Sequence, residues 1–152
     1  MGITEHQTNT FIVFDVAGTA YALPSDDVQH MEMVEGVTRV PNAPAHVDGV
    51  VFSRGQVVPA VNLRARFGCE RVPYGLRSRL IVVQADGRTV GLIVDQAREF
   101  VRIGPAAIQP PQDAIGGTDN DYVTGIASLD GRLIVILNLE RLMAAGESVP
   151  TV

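Results

Sequence analysis

The chain has 152 residues, a formal net charge of −5, 46% hydrophobic and 19% charged residues. This is the composition of a globular domain, and a chain of this length buries a core without needing a disulfide or a structural metal. Every basic residue is a scattered Arg and none is Lys, which argues against a phosphate-neutralising nucleic-acid surface.

Residues 1–9 are polar and lack the basic start and apolar run of a signal peptide. They read as a tail. Phe11-Ile-Val-Phe-Asp-Val predicts a strand that turns at Ala17-Gly18 and returns through Thr19 to Leu23. Ser25-Asp26-Asp27 offers a cap for one helical turn. Val28 to Val34 alternates apolar and polar residues, as a half-buried strand does. Pro41-Asn-Ala-Pro44 interrupts regular structure. Val50–Phe52 and Gln56–Val61 form a hairpin across Arg54-Gly55, and Asn62 caps a short helix to Phe67. Leu80–Ala85 and Thr89–Val94 flank Asp86-Gly87, a strong hairpin signal. Glu99–Ile103 reads as one more strand, and 104–121 as the longest irregular stretch. Tyr122–Leu129 and Arg132–Leu137 flank Asp130-Gly131, and Asn138 opens a closing helix through Met143. Residues 145–152 read as a second tail. No apolar run is long enough to span a bilayer, so no membrane insertion is expected.

The order hairpin, hairpin occurs twice. Gly49 to Leu63 lies on Gly125 to Leu139 without a gap, matching Gly49/Gly125, Gly55/Gly131, Asn62/Asn138 and Leu63/Leu139. Phe11 to Asp26 lies on Leu80 to Asp95, with Gly18/Gly87, Leu23/Leu92 and Asp26/Asp95 identical. A duplication of this kind predicts two similar β-modules with a seam between them. Many short strands joined by Gly turns favour closed barrels over an open sheet. The expected domain runs over 10–144, as two pseudo-repeated β-subdomains split near 68–79.

Catalytic groups are sparse. His6, His30 and His46 have no metal-ligand spacing, and Cys69 stands alone. Ser53 and Ser128, read as matching positions before hairpin turns, lie outside any G-x-S-x-G and read as ordinary strand residues. Asp26 and Asp95 suggest local backbone bonding, with acid–base work as the open alternative. Arg64/Arg66/Arg71 and Arg77/Arg79 read as solvated loop charge. Met31 and Met33 share one strand face, either as core or as an adaptable docking surface. Arg54 is the residue singled out: its counterpart Asp130 is an ordinary turn residue, whereas Arg-Gly is a poor turn dipeptide. Arg54 is either an idle surface group or present for its side chain.

Taken together, these segments resemble the CheW family of chemotaxis adaptors. The resemblance rests on Phe11-Ile-Val-Phe with Tyr21, Val28-Gln29, Val37-Thr-Arg-Val-Pro-Asn-Ala-Pro44, Gly49 through Arg54-Gly55 to Leu63, Gly91-Leu-Ile-Val-Asp95, and Tyr122-Val-Thr-Gly125 to Leu139. It implies a mostly β fold of two intertwined five-stranded SH3-like barrels with short helices. It also implies a non-enzymatic, cofactor-free scaffold that couples chemoreceptors to the histidine kinase CheA. One barrel would meet CheA's regulatory domain, and a groove near the seam would take the receptor's cytoplasmic tip. That groove would involve Val28, His30, Glu32, Gly49 and Arg54. The expected setting is cytoplasmic, at membrane-associated receptor arrays. The alternatives are an adaptor for a non-flagellar receptor–kinase pathway, in surface motility or gene regulation, and a small-ligand-binding β-barrel.

The chain departs from the family pattern twice. Asn-x-Arg-Gly is replaced by Phe52-Ser53-Arg54-Gly55, and the Glu usually found after Val-Gln is His30. In the family that Glu can pair with the turn Arg; here Glu32, on the same strand face as His30, could substitute.

Overall fold

The computed structural model describes residues 10–111 and 122–144. The expected tails, and most of the irregular stretch 104–121, lie outside the described residues. Among the described residues, eleven strands form two sheets. In chain order the strands are β1 (Thr10–Val16), β2 (Thr19–Pro24), β3 (Val28–Met33), β4 (Val47–Ser53), β5 (Gln56–Asn62), β6 (Arg79–Ala85), β7 (Arg88–Val94), β8 (Gln96–Arg102), β9 (Ile108–Gln109), β10 (Val123–Leu129) and β11 (Arg132–Leu137). Helix α1 (Leu63–Arg66) follows β5 and helix α2 (Leu139–Ala144) follows β11.

Each predicted hairpin forms. Ala17-Gly18, Arg54-Gly55, Asp86-Gly87 and Asp130-Gly131 all place both turn residues at positive φ, between 49° and 85°. This is the turn geometry that matches the twist of paired strands. Both predicted helix caps form too. Asn62 Oδ1 accepts from the Ala65 amide at 3.2 Å, and Asn138 Oδ1 from the Arg141 amide at 2.9 Å. Ser25 does not cap: it is the first residue of a 3₁₀ turn, Ser25–Asp27, without a side-chain cap bond.

The halves of the sequence are not the halves of the structure. The six-stranded sheet has the order β8-β1-β2-β11-β10-β9, and the five-stranded sheet β3-β6-β7-β5-β4. Each repeat thus gives its first hairpin to the other repeat's sheet. The exchange follows the duplication residue by residue. Ala22 pairs in parallel with Ile136, and Gly91 with Ala60; the sequence match equates Ala22 with Gly91 and Ile136 with Ala60.

Burial explains the near-continuous apolar strands. In β1, Ile12, Phe14 and Val16 enter a large core shared by both sheets, whereas Phe11 and Val13 enter a smaller core of the six-stranded sheet alone. In β6, Ile81 and Val83 enter the shared core, whereas Leu80 and Val82 enter a core of the five-stranded sheet. Side chains alternate faces along a strand, so a strand with a core on each side is apolar at nearly every position. Met31 packs on the shared core while Met33 is exposed, so one of the two methionines is core.

Candidate functional site

The edges of the five-stranded sheet are β3 and β4, at opposite ends of its hydrogen-bonding order. Side chains nevertheless join them. Ser53 Oγ on β4 donates to Glu32 Oε2 on β3 at 2.5 Å. His30 Nε2 lies 2.7 Å from the same carboxylate oxygen and 3.2 Å from Ser53 Oγ. The sheet is therefore curled until its edges meet, and these three residues fasten them. His30 and Glu32 stand opposite Val82 and Leu80, and cross-strand partners share a face. The polar clasp thus lies directly against the five-stranded sheet's own core.

The clasp is half closed to solvent. Ser53 is 4% exposed, and the His30 and Glu32 side chains are 12% and 36% exposed. The Ser53 hydroxyl, outweighing the cost of desolvation, holds the Glu32 carboxyl below its ordinary range, with further help from His30 and from the charge of Arg54. Arg54 follows Ser53 at φ 49° and is exposed. A non-glycine residue pays for this conformation unless its side chain bonds locally.

Three of the residues expected at the site are brought together: His30, Glu32 and Arg54. Val28 and Gly49 are not part of that cluster. Val28 lies beyond a bulge in β3 and packs on the shared core. Gly49 sits at a bulge in β4 with φ 153°, where the Thr38 carbonyl occupies the space a Cβ would need. Its close backbone approach is to its own chain.

Ser53 is the residue of this candidate site that sequence reading missed. Val47, Val51 and Ser53 are buried at alternate positions of β4, so the signal was a polar residue at an inward position. Ser128 is not its counterpart. Ser53 immediately precedes its turn, as Leu129 does, whereas Ser128 is one residue further back and exposed.

Other expectations about charge are corrected. Arg64, Arg66 and Arg71 are not solvated loop charge. Arg64 grips Asp95 through Nε at 2.9 Å and Nη2 at 2.8 Å. Arg66 lies over the Tyr122 ring at 4.9 Å and donates to the Leu142 carbonyl. Arg71 donates to Asp48 at 2.9 Å, and Arg79 donates to the Leu76 and Ser78 carbonyls. Asp95 also accepts the Ala17 amide at 2.8 Å, a contact distant in sequence rather than local, and Asp26 is exposed. Burial pushes the Asp95 carboxyl up, but Arg64 and the Ala17 amide together bring it below its usual value.

Asp48 fixes the loop that follows α1. It accepts Tyr74 Oη at 2.5 Å, Asn62 Nδ2 at 2.8 Å and Arg71 Nε at 2.9 Å. These bonds and the Arg71 charge outweigh burial and lower its carboxyl, while burial and Asp48 raise the Tyr74 phenol.

With the hydrogen on Nε2, the clasp is not arranged as a nucleophile relay. One ring nitrogen of His30 faces both Glu32 and Ser53. If it donates to the carboxylate, it has no lone pair with which to take the serine proton. Among the described residues no group of three or more His, Cys, Asp or Glu could hold a metal ion. No helix among them is long and apolar enough to cross a membrane.

What the fold and site define is a mostly β module of two interlaced sheets that carries an ordered, charged surface rather than a reaction centre. Comparison with known proteins agrees. Residues 10–147 match the family profile of the CheW-like domain. The chain is 30% identical over 146 residues to the chemotaxis protein CheW of Rhizobium meliloti, covering 94% of each chain. It is 27% identical over 136 residues to the protein FrzA of Myxococcus xanthus, covering 88% of this chain and 84% of FrzA. The crystal structure of the scaffolding protein TtCheW from Thermoanaerobacter tengcongensis superposes with a TM-score of 0.84 at 30% identity, over 94% of this chain and 97% of that one. The chain belongs to the CheW-like family. It is a non-catalytic adaptor of the chemotaxis-scaffold type.

Proposed function

We propose that this adaptor couples chemoreceptors to the histidine kinase CheA, working in the cytoplasm at membrane-associated receptor arrays. The receptor's cytoplasmic tip meets the surface formed by Arg54, His30 and Glu32, and Val28 and Gly49 shape the strands beneath it. The regulatory domain of CheA meets a sheet surface elsewhere on the molecule. Relatives named as chemotaxis proteins and a scaffolding protein support this reading.

The observation that carries the receptor assignment is Arg54. It projects from a turn position where an Arg is conformationally costly, beside a carboxylate already ordered by Ser53 and His30. A guanidinium in that position can make several directed bonds to a partner helix. Titration of wild-type protein and Arg54→Ala against a soluble receptor-tip fragment tests it. A loss of about 1–3 kcal/mol in binding is expected for an interface anchor, with the thermal melt nearly unchanged. Equal affinity for both proteins would return Arg54 to an idle surface role. Retention of CheA on the immobilised protein tests the kinase half of the reading independently.

Service to a non-flagellar receptor–kinase pathway is the second reading. His30 and the 74% exposed Phe52, both at positions where the chain departs from the family pattern, favour it. Affinity for tips of receptors from the two kinds of pathway separates these readings.

A further inference from the structure

Gly49 admits a segment of its own chain, and that segment forms part of a second surface. Thr38 and Val50 exchange backbone hydrogen bonds of 2.8 Å in both directions, and the Thr38 carbonyl occupies the space a Gly49 Cβ would need. Residues 37–39 are thereby held along the outer edge of β4. Arg39 then stands at the junction of two cavities. One, of about 370 Å³, is closed by the loop Val72-Pro73-Tyr74; the other, of about 510 Å³, by Val40 to Pro44. Arg39, Asp48 and Arg71 line both, so the two form one groove. It lies at the end of β4 opposite to the Arg54 turn.

The charges in this groove do not cancel. Asp48, with its side chain only 9% exposed, accepts from Tyr74, Asn62 and Arg71. Arg71 Nη2 also donates to the Ala45 carbonyl at 2.6 Å. Asp48 and Arg71 thus balance each other and tie both walls to β4. Arg39 is exposed, and among the described residues no hydrogen bond or ion pair engages its side chain. The charges of Arg39 and Arg71 both act on the Tyr74 hydroxyl, which places the Arg39 guanidinium near the groove wall. One positive charge is left over. The walls around it are apolar: Val40, Val72 and Tyr74 are each about two-fifths exposed, and Pro41, Pro44 and Pro73 lie beside them.

A single unpaired guanidinium between apolar walls matches one carboxylate with apolar neighbours. A nucleic-acid backbone brings a row of phosphates, for which one Arg beside the Asp48 carboxylate is a poor match. The walls are already fixed by the bonds of Asp48, so occupation orders no loop. We propose that this groove is a docking site for an acidic segment of a partner protein, in which one carboxylate pairs with Arg39 and the apolar residues beside it cover Val40, Val72 and the Tyr74 ring. The groove is separate from the surface assigned to the receptor tip, and its occupation does not depend on that assignment.

Selection of a phage-displayed random heptapeptide library on the immobilised full chain tests this. The selected sequences should be enriched in Asp or Glu flanked by Leu, Ile, Val or Phe. Synthetic copies should shift the Val40 and Val72 methyl signals in NMR titrations. They should bind Arg39→Gln at least about tenfold more weakly, as the loss of a hydrogen bond to a charged group implies, and Arg54→Ala as tightly as wild type. Arg39 makes no polar contact within the described fold, so the thermal melt of Arg39→Gln should match that of wild type. A selection that yields no binder, sequences without acidic enrichment, or equal binding by Arg39→Gln overturns the proposal. So does an equal loss in Arg54→Ala, which would move the peptides to the other end of β4. If sodium acetate alone shifts the Arg39 Nε signal as far as the peptides do, the groove is a small-anion site and the proposal fails. If Arg39→Gln instead changes self-association in sedimentation, the face joins copies of this chain and the proposal fails as well.

Discussion

Hairpins β4–β5 and β10–β11 are the same backbone used twice. Each has a bulge at a glycine, Gly49 or Gly125, and a positive-φ turn ending in glycine. Each also ends in an Asn that caps the following helix. The side chains that leave the hairpin differ. Asp48 reaches Asn62, Arg71 and Tyr74, whereas its counterpart Thr124 bonds its paired strand, at the Ile136 carbonyl. Ser53 joins the half-buried clasp between the two edges of its sheet, whereas in the other sheet the stretched, exposed pair of Glu99 and Arg132, at 3.9 Å, runs from the edge strand β8 to the interior strand β11. Arg54 stands where Asp130 stands. Positions that set backbone conformation have stayed alike, and positions that reach beyond the hairpin have diverged. The site is built from the second kind.

The sharpest break in the comparison is at the glycines. At Gly49 the backbone is left-handed and a Cβ would overlap the Thr38 carbonyl; at Gly125 φ is not positive, and the closest neighbours are Ile108 Cγ2 at 2.5 Å and the Gln109 carbonyl at 3.0 Å. Gly49→Ala should cost at least about 3 kcal/mol, from backbone strain plus steric conflict. Gly125→Ala should cost less, because only the steric conflict remains where the backbone is not at positive φ. Urea unfolding of both variants checks this, and equal losses would contradict it.

Asp48 should come next. Asp48→Asn leaves three donors sharing a neutral amide, at a cost of about 2 kcal/mol for hydrogen bonds to a charged group. The sign with pH follows from the lowered carboxyls of Asp48, Asp95 and Glu32. Each contributes stability that is fully present above its unfolded value, about pH 4, and is lost as pH falls through its lower folded value. Asp27, raised by burial and by Glu140 and Asp26, works in the opposite direction. Unfolding midpoints between pH 3 and pH 7 should fall toward acid in wild type, and less steeply in Asp48→Asn. Thr124→Ala should leave that slope untouched.

The clasp and the Arg132–Glu99 pair should separate by a smaller margin. Ser53→Ala removes a buried donor from Glu32 and should cost about 1–2 kcal/mol. Arg132→Ala breaks an exposed pair and should cost less than about 0.5 kcal/mol. Chemical denaturation of the two variants side by side decides, and similar losses would mean the clasp is not what fastens the sheet. Smallest of all, Arg54→Asn gives this turn a residue that tolerates positive φ and should stabilise the fold by about 0.5 kcal/mol, while weakening capture of the receptor tip. Weakened binding without lost stability would mark Arg54 as held for its side chain, and Asp130→Asn should change neither.

Sequence alone determined what depends on neighbours along the chain. Four hairpins, two Asn-capped helices and the β3 strand were legible because turn conformation, capping and strand alternation are set within a few residues. The duplication was legible because the same local rules operate twice. His30, Glu32 and Arg54 were legible through the family resemblance and the shared strand face. Only the tertiary structure decided which hairpin joins which sheet, because Ala22 with Ile136 and Gly91 with Ala60 are parallel pairings between distant segments. The arginines of 64–71 read as solvated loop charge because Asp95, the Leu142 carbonyl and Asp48 reach them only after the sheets assemble. Ser53 looked ordinary for the same reason. A hydroxyl in a strand has no particular role until a curled sheet brings the opposite edge, with its carboxylate, within hydrogen-bond reach.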